Sequence, residues 1–331
     1  MGLRAVLVAT LVLAVLAGAA VADVGDWSKI TFRRNIEGNA GIWWMDDDGS
    51  DQATLYDSSR LEYYADLSPD GTQVVFDRSE GGNTYDLWKM NVDGTGLTDI
   101  TPPAVSGLQN VMATWSPDGA TIAFAATTSS TGSIWVMDPD GTGAVSPPTG
   151  GRDHSPAWSP DGTKLAFCHQ AGGDYGDLFI MNADGTGLTQ LTSGSAQDVF
   201  SSWSPDGQSI VFQRSPTGDW LDDDIWRVNV DGTGLTQLTS QAGADESPCW
   251  SWDGTRIAFA SQMGVRSDRA NRQICLMNPD GTGIINISSS AYDDTSPMWR
   301  GGAGAVPELP PLALAAAPLP LVLLGRTFRR R

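Results

Sequence analysis

The chain has 331 residues, 40% of them hydrophobic and only 18% charged, with 38 Gly and 19 Pro; that is enough apolar content for a sizeable core and rules out wholesale disorder. A net charge of −19, from 20 Lys and Arg against 39 Asp and Glu, lacks the basic footprint that nucleic-acid binding needs. The 13 Trp are many for this length and the 2 His few.

Residues 1–22 read as a secretory signal peptide. Arg4 supplies the positive start, Ala5 to Leu16 is an apolar run, and Ala20-Val21-Ala22 is a small-x-small cleavage site, so the mature chain is expected to begin at Asp23. A retained anchor is the alternative, for which the apolar run is short. No Cys follows that run, which excludes an acylated-cysteine lipoprotein.

Residues 23–305 are built from one repeated unit. Ser-Pro-Asp-Gly begins at Ser68, Ser116, Ser159 and Ser204, with Ser251-Trp252-Asp253-Gly254 as a variant. A second turn, Asp-Gly-Thr or Asp-Gly-Ser, recurs at Asp48, Asp93, Asp140, Asp184, Asp231 and Asp280, spaced 44 to 49 residues apart. Phe32, Phe76, Phe124, Phe167, Phe212 and Phe259 keep the same period. Within one copy, Ser155–Trp158, Lys164–Phe167, Asp177–Met181 and Leu188–Thr192 are short strand patterns separated by Gly- and Asp-rich turns, and helical periodicity is missing. Four strands per unit of about 40–50 residues is the pattern of a β-propeller. The expectation is an all-β, six-bladed propeller with four-stranded blades. The first unit lacks a Ser-Pro-x-Trp strand, and Ser296-Pro297-Met298-Trp299 follows the last turn with no further unit, so this strand is expected to complete the first blade and close the ring.

The repeats resemble those of the TolB-like propeller family, D-x-x-P-x-W-S-P-D-G followed by I-W-x-M-N-x-D-G-x-G. The full-length copies here run from Asp153 to Gly162 and from Asp177 to Gly187, and the resemblance spans about 27–300. It implies a TolB-like fold. The TolB protein also carries an N-terminal α/β domain for which this chain has no room, so a Tol-system role is not implied.

Residues 306–331 form a second signal. Val306-Pro307-Glu308 leads into the apolar, proline-rich Leu309–Leu324, then Arg326 and Arg329-Arg330-Arg331. Sixteen apolar residues fall short of the about 20 that a straight spanning helix needs. The order resembles the PEP-CTERM sorting signal of exported bacterial proteins, with Leu309 at the place of its final Pro. The resemblance implies that a membrane sorting enzyme cuts near Pro307 and Glu308 and passes the protein to the cell surface; an uncleaved anchor is the alternative. The leader carries one excess positive charge and the tail three, so 23–305 stands at −23.

Nine of the 13 Trp are repeat-locked. Trp115, Trp158, Trp203, Trp250 and Trp299 precede the first turn, and Trp43, Trp88, Trp135 and Trp226 stand five residues before the second, so both sets are expected to pack blades. Trp220, in an irregular loop, obeys no register and is a candidate ligand or partner contact. The second turns carry no ligands at the positions a calcium loop needs, so they read as hairpin turns.

A further set lies five residues before each first-strand aromatic: Glu62, Asn110, Asp153, Asp198, Asp245 and Asp294. Both tight turns of every unit lie on one side, so these six are expected on the variable-loop side around the channel mouth. Converging carboxylates there could draw in a cation or raise one another's pKa; the alternative is that each caps the backbone of a neighbouring loop. His154, Glu246 and Asp293 flank the set, and the loop Ser261–Arg272 adds Arg266, Arg269 and Arg272.

Two His cannot build a three-histidine metal site, Cys168, Cys249 and Cys275 lack metal-ligand spacing, and no G-x-S-x-G elbow occurs. Buried free thiols are expected. The expectation is a non-catalytic, exported, monomeric bacterial propeller with no resident cofactor, binding a protein, peptide or glycan partner through its variable-loop face. The rival is a carbohydrate-active or cation-dependent enzyme using the channel acids.

Overall fold

The computed structural model describes residues 26–172, 175–218, 220–263 and 271–303. The strands fall into six successive antiparallel sets, as the repeat dictates. The second set is Glu62–Leu67, Gln73–Gly81, Thr84–Asn91 and Thr98–Asp99, and the fourth to sixth repeat it through to Ile285–Asn286. In the third set, the outer strand is reduced to a single pairing of Val136 with Val145. Single parallel pairings, Tyr85 with Gln109 and Gly132 with Arg152, join sets two, three and four into one hydrogen-bonded network.

The first set is completed from the other end of the chain. Asp293–Ala303 pairs antiparallel with Asp26–Ile36, bringing Trp299 opposite Ile30 and Ala303 opposite Asp26. The sixth and first units also touch. The amide of Trp299 donates to Cys249 Sγ at 3.1 Å. A Cβ on Gly49 would stand 2.3 Å from the carbonyl oxygen of Ile287, so only glycine fits this contact, where φ is +86°.

The turn chemistry matches the turn residues. Asp184 Oδ1 accepts from the amide and hydroxyl of Thr186, its counterparts from Asp93 to Asp280 repeat this, and Asp48 Oδ1 accepts from the Ser50 amide. These hydrogen bonds hold the exposed Asp carboxyls below their usual range. In Ser-Pro-Asp-Gly, the Ser159 hydroxyl donates to Asp161 and accepts from the Lys164 amide.

The core lies between units. The six repeat-locked Phe are at most 1% exposed. Trp115 packs with Val75 and Leu87 of the preceding unit, Trp250 with Val211 and Ile225, and Trp299 with Ala258 and Ile274. Each thus seals a joint, and truncating one to Ala would cost about 3–5 kcal/mol. Cys168, Cys249 and Cys275 are free and buried. Among the described residues no helix is long and apolar enough to cross a membrane.

Candidate functional site

The channel is lined by the first strand of each unit: Glu62–Leu67, Gln109–Trp115, Arg152–Trp158, Gln197–Trp203, Asp245–Trp250 and Asp293–Ala303. Side chains alternate along a strand, so if one residue faces the channel its neighbour faces into the unit. Glu62, Asn110, Asp153, Asp198, Asp245 and Asp294 take the inward-packing phase. All six are 0% exposed and none lines the channel, which corrects their expected place at its mouth.

Their partners explain why. Each faces the residue opposite it on the second strand. Asp198 receives both arms of Arg214 at 2.6 and 2.7 Å, and Asp294 those of Arg34 at 2.7 and 2.8 Å. Asp153 bonds His169 Nδ1 at 2.6 Å. The third strand covers these partners with an aromatic, with Arg34 over Trp43, Arg214 over Trp226 and His169 against Phe179. In the first and fifth units the second Trp register therefore shields an ion pair. In the third unit the opposite residue is Ala126, which offers no charge, and the acid is replaced by Asn110, whose amide donates to the carbonyls of Tyr85 and Val105 at 3.1 Å. Hydroxyls four residues upstream cap Glu62 (Ser58), Asp153 (Thr149) and Asp294 (Ser290). Burial raises Glu62 to about 7 and Asp245 to about 6. The five acids are therefore held by side-chain partners within their own units, and Asn110 by backbone carbonyls, in place of the loop N–H groups that the capping alternative supposed.

The channel is lined instead by their neighbours. Tyr63, Val111, His154, Val199, Glu246 and Thr295 stand one residue later, and Gln109, Arg152 and Gln197 one earlier. Each first strand is then bent by a β-bulge. Tyr64, Met112, Ser155, Phe200, Ser247 and Ser296 all have φ between +38° and +59°, at or beside a register shift. Second-strand side chains support two of these strained positions from the preceding unit. Asp77 Oδ1 accepts from the Met112 amide at 3.1 Å and Gln213 Oε1 from the Ser247 amide at 3.0 Å.

The bend throws two of these side chains across the axis. Tyr64 and Phe200, from the opposing second and fifth units, stack with ring centroids 5.6 Å apart and planes at 20°. Both line two cavities, one on each side. On the tight-turn side is an apolar funnel of about 380 Å³, ringed by Pro69, Pro117, Pro160, Pro205 and Trp252, with Arg300 its one charged residue. On the variable-loop side is a polar cup of about 570 Å³, floored by Tyr64 and Phe200.

The cup's charge runs against that of the chain. His154 lines the wall, and burial lowers its pKa to about 4, leaving it neutral at physiological pH. Asp77 is wholly buried and raised to about 8, hence mostly protonated. Arg272 bonds Glu246 at 2.6 Å and Asp293 at 2.8 Å. Arg33 and Arg152 have no carboxylate partner among the described residues, and their Nε atoms are buried without a hydrogen bond. Arg33 lies over the Tyr63 ring, 4.5 Å from its centroid. Among the described residues no group of three or more His, Cys, Asp or Glu is placed to hold a metal ion.

The structure thus brings the flanking residues His154 and Glu246 into the cup and withdraws the six repeated positions. Arg33, Asp77, Tyr85 and Arg152 escaped the sequence reading; the available signal was strand alternation, which sends the neighbours of a regularly repeated acid the other way. Trp220 opens a short 3-10 turn, Trp220–Asp222, and its side chain lies outside the described residues. So do Arg266, Arg269, Val306, Pro307 and Glu308.

The family follows from the repeat and fold together. The model of the TolB beta propeller domain matches residues 115–299, more than half of the chain, and the chain belongs to that family. Among solved structures it is similar to TolB from Acinetobacter baumannii, with a TM-score of 0.69 and 19% identity over 83% of this chain and 67% of that one. It is similar also to a putative TolB from Agrobacterium tumefaciens, with a TM-score of 0.64 and 20% identity over 84% and 99%. An oligogalacturonate lyase in complex with manganese matches at a TM-score of 0.51 and 14% identity over 78% and 73%. No curated protein matches the chain.

Proposed function

We propose that the chain is a non-catalytic binding propeller, exported and held at a bacterial cell surface, which receives its partner in the cup on the variable-loop side. The observation that carries this reading is the Tyr64–Phe200 floor, which turns an open channel into a blind cavity lined by arginines, glutamines and tyrosines. Concave, partly aromatic sites with a few placed polar groups are where ligands bind. The acids that a carboxylate-pair enzyme would use are instead engaged within the units, several by Arg34, Arg214 and His169. Residues 1–22 serve as the export signal and 306–331 as the sorting signal or anchor of the 23–305 propeller, which acts as a monomer.

The test is a cup-filling substitution. Gln197 stands on the wall at the start of its strand, half-buried. Gln197→Trp is expected to abolish capture of a protein, peptide or glycan partner from the source cell surface while leaving the melting temperature within a few degrees of wild type. Unchanged capture by a folded Gln197→Trp protein would remove the cup from function.

A further inference from the structure

We infer that the cup recognises an acidic saccharide, a chain of hydroxylated rings bearing carboxylates, through Arg33 and Arg152. This rests on the reading of the cup as the partner site and adds the chemistry of what enters it.

The two arginines have no scaffold role that the repeat requires. In the second and fifth units the register position of Arg33 holds Asp77 and Gln213, acceptors that cap the strained amide of the next unit. An arginine has no acceptor and cannot do this. Arg152 precedes the inward-packing Asp153, at a place where the other units carry Leu61, Gln109, Gln197, Ala244 and Asp293. Both guanidinium groups have a buried Nε without a partner, in a chain with twice as many acids as bases. Both side chains line the cup and make no ion pair among the described residues, so the folded state keeps two positive groups there whose terminal N–H donors can turn to a ligand. The planar fork of arginine matches a carboxylate in two-point fashion.

The rest of the lining selects the carrier of that carboxylate. Tyr63 and Tyr85 meet edge to face at 5.7 Å, and Tyr64 and Phe200 stack as the floor, so the lining offers aromatic surface against which ring C–H groups can pack. Gln109, Gln197, Thr127 and Thr295 supply amides and hydroxyls suited to ring hydroxyls. Arg33 belongs to the first unit and Arg152 to the fourth, on opposite sides of the six-unit ring. One carboxylate cannot serve both walls as well as two on neighbouring sugars. The blind floor calls for the end of a saccharide chain.

The experiment is calorimetric titration of the purified protein with trigalacturonate, with its fully methyl-esterified form, which keeps the rings and removes the charge, and with triglutamate. Trigalacturonate is expected to bind at least tenfold more tightly than the ester or the peptide. Arg33→Gln and Arg152→Gln should each weaken it at least tenfold, Arg152→Lys less so, with melting temperatures unchanged. Equal binding of acid and ester, no binding of either, indifference to both substitutions, or triglutamate binding as tightly would overturn the inference. Loss of partner capture by Gln197→Trp alongside any of these would leave the cup as a partner site and reject only the saccharide.

Discussion

The Asp66 carboxylate and the Arg300 guanidinium meet in two hydrogen bonds of 2.8 and 2.7 Å across 234 residues of sequence. Asp66 Oδ2 also accepts from the Thr114 hydroxyl and the Trp115 amide, both at 2.9 Å. One fully buried carboxylate therefore ties the closing strand of the first unit to the second and third. Asp66→Ala would leave Arg300 without its acid and is expected to lower stability by about 3 kcal/mol, read by urea unfolding. A chain ending at Ser288 lacks Arg300 and the whole closing strand. It should unfold at much lower temperature and with a broader calorimetric transition; melting as hot and as cooperatively as the full propeller would refute closure by this strand.

The Tyr64–Phe200 stack is testable as a coupling. Stacked aromatic pairs contribute about 0.5–1.5 kcal/mol beyond area burial. A double-mutant cycle of Tyr64→Ala and Phe200→Ala should show that coupling, and additive effects would show that the two rings do not meet.

Asp198 and Asn110 hold the same repeat position with different partners. Asp198→Asn strips the buried Arg214 of its acid and should cost about 3–5 kcal/mol. Asn110→Asp sets a carboxyl against the carbonyls of Tyr85 and Val105, opposite Ala126 where other units place a basic residue. That variant should be destabilised at neutral pH and recover toward acid pH as the new group protonates. A flat pH profile for Asn110→Asp would count against this account of the unit.

Asp77 gives a pH dependence of known sign. Burial raises its folded pKa to about 8, against about 4 when unfolded, so between these values the folded state holds a proton that the unfolded state does not. Its contribution is complete below pH of about 4 and lost as pH rises toward 8. Asp77→Asn mimics the protonated form and still offers an oxygen to the Met112 amide. The stability difference, Asp77→Asn minus wild type, is expected to grow from pH 5 to pH 8.5; a constant difference would mean that Asp77 titrates normally.

The scaffold was largely legible in the sequence because its determinants are local and repeated. An Asp-Gly turn needs its own side chain and a positive φ, and a Trp before Ser-Pro-Asp-Gly meets the same joint each time. The cup was less legible because its lining varies from unit to unit: Tyr63, Val111, His154, Val199, Glu246 and Thr295 share a position but no common chemistry, with valine alone recurring. The bulges were hidden too. None of Tyr64, Met112, Ser155, Phe200, Ser247 or Ser296 is a glycine, so positive φ left no mark. The repeated acids drew attention through their regularity, and regularity here records a packing requirement.

Ala303 lies opposite Asp26, on the side of the apolar funnel, so the described chain begins and ends at one pole while the cup opens at the other. A molecule moored at either of these residues, for example through an affinity tag fused there, would display the same pole outward. A layer of such molecules would be polarised, every cup turned toward the surroundings.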